Sequence, residues 1–287
     1  MGVIKKAANA GPLADLVKSL RTERKLVQRD FCELVDIDQG TWAKYERGTR
    51  TPSVPTIERV LAKLGISGDR REEILATARG ADAPRWLATT LPEQRAQQAA
   101  LIRAERKAKS IRQVAPELIP GPLQTTPYAR AIFERAGLDE DEIEIRVTTR
   151  NGRRDVITRP DGAQFSVILG PAALRQQIGG LKTLIGQLKH LRELSDWPNI
   201  DIRAWDYTAD WHPGLEGFFA LIESDEESPL VYLETRRSGL FFYDAEDVKS
   251  YRDAFNRMVG DDPREAVAMT PARTQQAITD LIKELET

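Results

Sequence analysis

A single cysteine, Cys32, is all the thiol chemistry this 287-residue chain carries, and it has two histidines, His190 and His212. One thiol can neither close an internal disulfide nor build a thiolate zinc cluster, and two histidines cannot supply a histidine-rich metal site. Long apolar runs are missing too. No window approaches the roughly 18 uncharged apolar residues of a membrane span, and Met1 to Ala10 lacks the apolar stretch of a signal peptide. A cytoplasmic, reducing setting is the expectation, with no metal, no cofactor and no membrane partner.

A catalytic constellation is also lacking. The candidates are His212 beside Asp210 and Trp211, Glu234, and the arginines Arg150, Arg153 and Arg154. None brings a nucleophile and a base together, so no enzyme is expected. His212, ahead of Pro213-Gly214, reads as a turn residue, and the three arginines read as a solvated helix face.

What is present is the composition of an ordinary globular protein, 41% hydrophobic and 30% charged, long enough for two or three cores. The net charge of −2 conceals an asymmetry. Up to Pro120 there are 22 basic and 15 acidic residues, and after it 20 and 29, which gives +7 and −9. A basic head suited to a polyanion, joined to an acidic body, fits these numbers, as do unevenly solvated surfaces.

Near the N-terminus, Leu13, Leu16, Val17 and Leu20 fall at i, i+3, i+4 and i+7 of an amphipathic helix. Gln28 to Val35 reads as a second short helix with Phe31 and Leu34 inward. Asp36 then stands where the chain needs a left-handed turn residue. Ile37 plugs the turn, Asp38 caps the next helix, and Trp42 and Tyr45 share its inner face. Cys32 sits where the two helices cross, so its role is packing. A fourth helix follows the cap Ser53, with Val54, Ile57, Leu61 and Leu64 as its stripe and Gly65 as its stop, and Asp69 to Ala78 gives a fifth.

With Trp42 and Tyr45 inward, the third helix turns Gln39, Gly40, Ala43 and Lys44 outward. Gln and Lys can bond purine edges in a major groove, while Gly and Ala permit close approach. Lys25, Gln28, Arg47, Arg50 and Thr51 flank the same surface and are the expected phosphate contacts. Gln28, Phe31, Ile37, Trp42, Tyr45-Glu46-Arg47-Gly48 and Thr51-Pro52-Ser53 together resemble the Xre/Cro family of phage-repressor-like regulators, over about Leu13 to Gly80. That resemblance implies a five-helix lambda-repressor-like domain whose third helix reads double-stranded DNA.

The body reads differently. Ala81-Asp82-Ala83-Pro84 is an expected break, and Pro92 to Ser110 a polar connecting or dimer-forming helix with a thin stripe at Leu101 and Ile102. Helices are expected over Thr126 to Gly137, from the acidic Asp139 to Glu144 on to about Val156, and over Ala172 to Ile178, Leu181 to Leu194, Ala245 to Met258 and Thr274 to Leu285. Strands are expected over Phe165 to Leu169, Ile200 to Trp205, Phe218 to Ile222, Leu230 to Leu233 and Leu240 to Tyr243. The fold class is therefore α+β: an all-α domain over residues 1–80, a helical connector over 81–118, and a mixed domain over 119–287 with an antiparallel sheet. Trp197, Trp205, Tyr207, Trp211, Phe218 and Phe219 gather about the central strands as core, pocket or partner groove.

Pro120-Gly121-Pro122-Leu123-Gln124-Thr125 with Tyr128-Ala129, Pro198-Asn199-Ile200, His212-Pro213-Gly214, and Val231-Tyr232-Leu233-Glu234 followed by Gly239 and Tyr251 carry a second resemblance. In this order they resemble the C-terminal domain found behind Xre-type helix-turn-helix domains in bacterial antitoxin-like regulators. The resemblance implies a transcriptional regulator that docks a small partner protein. A ligand sensor with a small-molecule pocket, or a plain dimerisation body, are the other readings of this half. A homodimer is expected, since a two-fold pair can read half-sites about one helical turn apart.

Overall fold

A computed structural model of the chain describes residues 10–82, 85–87, 91–235, 239–260 and 266–287. Its helices are α1 (Ala10–Thr22), α2 (Gln28–Val35), α3 (Gln39–Glu46), α4 (Val54–Lys63), α5 (Gly68–Asp82), α6 (Leu91–Arg106), α7 (Thr126–Arg135), α8 (Glu140–Thr158), α9 (Pro171–Arg175), α10 (Leu181–Leu194), α11 (Ala245–Val259) and α12 (Pro271–Glu286). Its strands are β1 (Arg85–Leu87), β2 (Ser110–Ala115), β3 (Gln164–Leu169), β4 (Ile200–Ala204), β5 (Phe219–Glu223), β6 (Leu230–Glu234) and β7 (Gly239–Phe242). The fold is α+β, with a helical N-terminal region ahead of a mixed part. Among the described residues no helix is long and apolar enough to cross a membrane. The chain divides into two compact units, residues 1–104 with 225–248, and residues 105–224 with 249–287.

In the first unit α1 to α5 enclose one core. Leu13, Val17 and Leu20 of α1 meet Phe31, Trp42, Ile57, Leu61 and Leu75, all essentially inaccessible. The spacing of α1's apolar residues is the cause, since a 3.6-residue period puts them on one stripe. On α2 the inward set is Phe31, Cys32 and Val35, and Leu34 is 44% exposed, contrary to the expectation that it turns inward. Burial of Cys32 turns the inward face toward it: at 100° per residue Val35 lies about 60° from Cys32 and stays inside, while Leu34 lies about 160° away and turns out. Helix α5 runs through Ala81 and Asp82, where a break was expected, and Ala83-Pro84 lies outside the described residues. The unit also holds an antiparallel ribbon of β1, β7 and β6, with Trp86 opposite Phe241 and Val231 opposite Phe242. Buried Gln97 of α6 pins this ribbon, its amide donating to the Gly239 carbonyl and its oxygen accepting from the Gly239 N–H, both at 2.8 Å.

The second unit is built on β5, β2, β3 and β4. The β2 strand pairs antiparallel with β5 and parallel with β3, and β3 pairs parallel with β4, so the expectation of an antiparallel sheet is corrected to a mixed one. The segment between β3 and β4 explains this: it carries α9 and α10, and a parallel pair requires such a crossover. The expected connecting helix to Ser110 stops at Arg106, and residues 110–115 are instead a strand in the middle of this group. Ala172 to Ile178 shortens to α9. Helices α10 and α12 pack together, α12 also meets β4, and α7 lies against α8 and α10.

The β2 and β3 ends are closed by Gly170. Its N–H donates to the Ala115 carbonyl at 2.9 Å, and a Cβ placed on it would lie 2.3 Å from the Pro116 carbonyl oxygen. That neighbour is backbone and cannot swing aside, so Gly170→Ala is expected to destabilise the second unit by about 2 to 3 kcal/mol. A thermal denaturation curve reads this directly, and an unchanged midpoint would mean that the strand ends spread freely.

Candidate nucleic-acid interface

The turn between α2 and α3 is made by local chemistry. Asp36 ends α2 at φ 59°, ψ 54°, the left-handed conformation expected of it, and Ile37 then donates its N–H to the Cys32 carbonyl at 3.1 Å. Asp38 caps α3 by accepting the Thr41 N–H at 2.8 Å. Hydrogen bonds from Thr41, and the nearby Lys44 charge to a lesser degree, hold the Asp38 carboxyl below its ordinary value. Gly48, at φ 65°, ends the helix with its N–H on the Tyr45 carbonyl at 3.0 Å.

The inner side of α3 is fixed by packing and by a part-buried ion pair. The Trp42 ring lies 4.8 Å from Phe31 and is edge-on to Tyr45 at 6.1 Å. Its Nε1 donates to the Glu46 carboxylate at 2.8 Å, and the same carboxylate takes a two-pronged bond from Arg21 of α1 at 2.7 and 3.0 Å. Arg21 also donates to the Leu26 carbonyl at 3.0 Å. Glu46 thus joins α3 to α1. Sequence reasoning quoted it within Tyr45-Glu46-Arg47-Gly48 and gave it no role, though a carboxylate four residues after a buried Trp was the available signal.

The outer side presents Gln39, Gly40 and Lys44 as exposed residues, with Ala43 half-buried beside them. A Cβ on Gly40 would meet Asp38 Oδ1 at 3.3 Å and nothing tighter. The fold therefore does not require glycine there, and its small size is available to whatever approaches the helix.

Around this patch Lys25, Arg47 and Arg50 are exposed and Gln28 is half-buried. Val27 supplies no capping side chain to α2, so the positive end of that helix stands open beside Gln28. Arg47 folds back, Nε donating to the Ala43 carbonyl at 3.1 Å, and Arg50 lies 5.9 Å above the Tyr45 ring. The Thr51 hydroxyl is buried without a partner, so its side chain is not turned toward a phosphate. Cys32 is 4% exposed, and burial pushes its thiol up, as a packing residue requires.

The other sequence candidates lie in the second unit. Arg150, Arg153 and Arg154 do not form a solvated face. They point at the 3-10 turn Gly121–Leu123 and its flanks, where Arg150 donates to the Gln124 side chain at 2.9 Å and Arg154 to the Gln124 carbonyl. Arg153 grips Glu105, 1% exposed, through two bonds of 2.7 Å. The spacing i, i+3, i+4 put them on one face correctly, but their charge suggested water where buried carboxylate and amide oxygens take its place. Gln187 completes the knot, donating to the Leu123 carbonyl and accepting from the Thr125 N–H. His212 is a turn residue as expected, its Nδ1 accepting from the Gly214 N–H at 3.2 Å, and burial lowers its pKa. The aromatic group divides: Trp205 and Phe219 are buried, whereas Tyr207 and Trp211 face solvent.

A model described as a helix-turn-helix domain matches residues 12–74, and one described as a domain of unknown function (DUF5753) matches residues 98–280. No curated protein and no solved structure matches the chain.

Proposed function

Because the chain belongs to the family of the domain of unknown function DUF5753, which takes in residues 98–280, and carries a helix-turn-helix ahead of it, we propose that it is a sequence-specific transcriptional regulator of the Xre type. The observation that carries this reading is the two-sided build of α3. One side is locked by Trp42, Tyr45 and Glu46, and the other offers Gln39, Gly40, Ala43 and Lys44. A rigid helix with a small-residue surface and two hydrogen-bonding side chains suits a major groove. Lys25, Gln28, Arg47 and Arg50 position it on phosphates, and a homodimer supplies two such helices.

The second part docks a small partner protein in this reading, as in the antitoxin-like regulators it resembles, and the partner alters DNA binding. Lys44→Ala tests the DNA half. Operator affinity should fall roughly fivefold or more, a loss of about 1 to 3 kcal/mol, while affinity for random DNA at the same salt changes little. Equal losses on both DNAs would remove Lys44 from base reading and leave it a phosphate contact.

A further inference from the structure

The loop between β4 and β5 in the second unit displays large apolar side chains to water. Tyr207 is 72% exposed, Trp211 65% and Leu215 56%, and Tyr207 is the most exposed large hydrophobic among the described residues. Solvent-facing aromatics on a floppy segment would signify little, but this loop is held. Trp205 is buried and donates its N–H to the Leu169 carbonyl at 3.1 Å. Asp206 accepts both the N–H and the hydroxyl of Thr208 at 2.9 Å. The buried His212 ring stands edge-on to Trp205 at 4.9 Å, and a Cβ on Gly214 would press on Met258. Alternate residues are therefore anchors, and those between them are presented.

Charge narrows what such a surface can receive. Between β4 and β5, from Trp205 to Phe218, the sequence has no lysine or arginine, against three carboxylates. All three, Asp206, Asp210 and Glu216, are exposed. The cation whose charge reaches Asp206 and Tyr207 is Arg175, itself paired with Glu284 at 3.1 Å. DNA and acidic lipid are repelled by this arrangement. A second copy meeting it patch to patch would set carboxylates against carboxylates.

We propose that this loop is the docking surface for a small basic protein, which receives Trp211 and Tyr207 in apolar pockets and rings them with lysine and arginine. Trp and Tyr side chains carried on a backbone that is already held form the centres of tight interfaces, since little backbone ordering remains to be lost. The proposal rests on the partner-docking reading above and gives that partner a place and a charge.

The test uses the intact chain in the cells that make it, with the photo-crosslinking amino acid p-benzoylphenylalanine placed at Ala209 in one strain and at exposed Ile145 in another. Crosslinked products are identified by mass spectrometry, and the captured protein is purified and titrated against the chain. A basic protein captured from position 209 and not from 145 is expected, with affinity weakened by added salt. Trp211→Ala and Tyr207→Ala, both at solvent-facing positions, should each weaken it at least tenfold with the melting temperature unchanged. Capture from 209 of a second copy or of an acidic protein, or a titration indifferent to Trp211→Ala, would overturn the proposal. A partner captured from 145 and not from 209 would sink this surface while leaving partner docking intact, and no capture from either would sink both.

Discussion

Glu105→Ala is expected to lower the stability of the second unit by about 3 to 5 kcal/mol, because it removes the buried carboxylate that two Arg153 bonds grip. The pair has side-chain exposures of 1% for Glu105 and 19% for Arg153, with both guanidinium bonds at 2.7 Å. Removing one partner of such a pair forfeits its attraction and leaves the other charge desolvated, which costs more than the intact pair contributes. For a unit of this size that corresponds to a fall of roughly 10 °C in melting temperature. Glu105→Gln, which keeps the shape and one acceptor, should recover part of the loss. A melting curve of the intact chain decides the matter, and a loss under about 1 kcal/mol for the alanine variant would show the pair to be hydrated in solution.

The second large effect belongs to Glu46. Its carboxylate accepts from Arg21 twice and from Trp42 Nε1, so Glu46→Ala takes the acceptor from the Trp42 Nε1 and leaves Arg21 only its bond to the Leu26 carbonyl. With side-chain exposures of 18% for Arg21 and 10% for Glu46, the expected cost is about 3 kcal/mol. Because the bond ties α3 to α1, operator affinity should fall more than tenfold although Glu46 faces away from the DNA. Glu46→Gln keeps an acceptor for the tryptophan and should bind better than the alanine variant. Full operator binding by Glu46→Ala at a temperature where it stays folded would show that α3 is positioned by its apolar contacts alone.

The helix-turn-helix was legible in the sequence because its signals are local. The cap at Asp38, the left-handed residue at Asp36 and the stop at Gly65 each act within a few residues, and the bounds of α2 and α10 follow from spacing alone. What failed depended on distant neighbours. Strand β2 goes unassigned, its first residue Ser110 read as the end of a polar helix, since Lys107 and Lys109 precede it and Arg112 with the buried Gln113 hides the alternation. The parallel pairing follows from where β2 lands, which the sequence of β2 does not state. Arg153 looks solvated until Glu105, 48 residues earlier, is brought beneath it. The outward side of α3 could be read from the inward pair Trp42 and Tyr45, while the burial of the Thr51 hydroxyl is imposed by tertiary packing alone.

The lone thiol, sealed against α3, has a practical consequence. Cys32 is buried and its ionisation is suppressed, so maleimide or iodoacetamide reagents should pass it by in the folded chain. A cysteine introduced at exposed Gln39 or Lys44, or at Trp211, would then take a fluorophore alone, with no need to remove the native residue first. The chain is in effect already prepared for site-specific labelling, and a dye at each surface could report in one titration whether engagement of the acidic loop is felt at the reading helix.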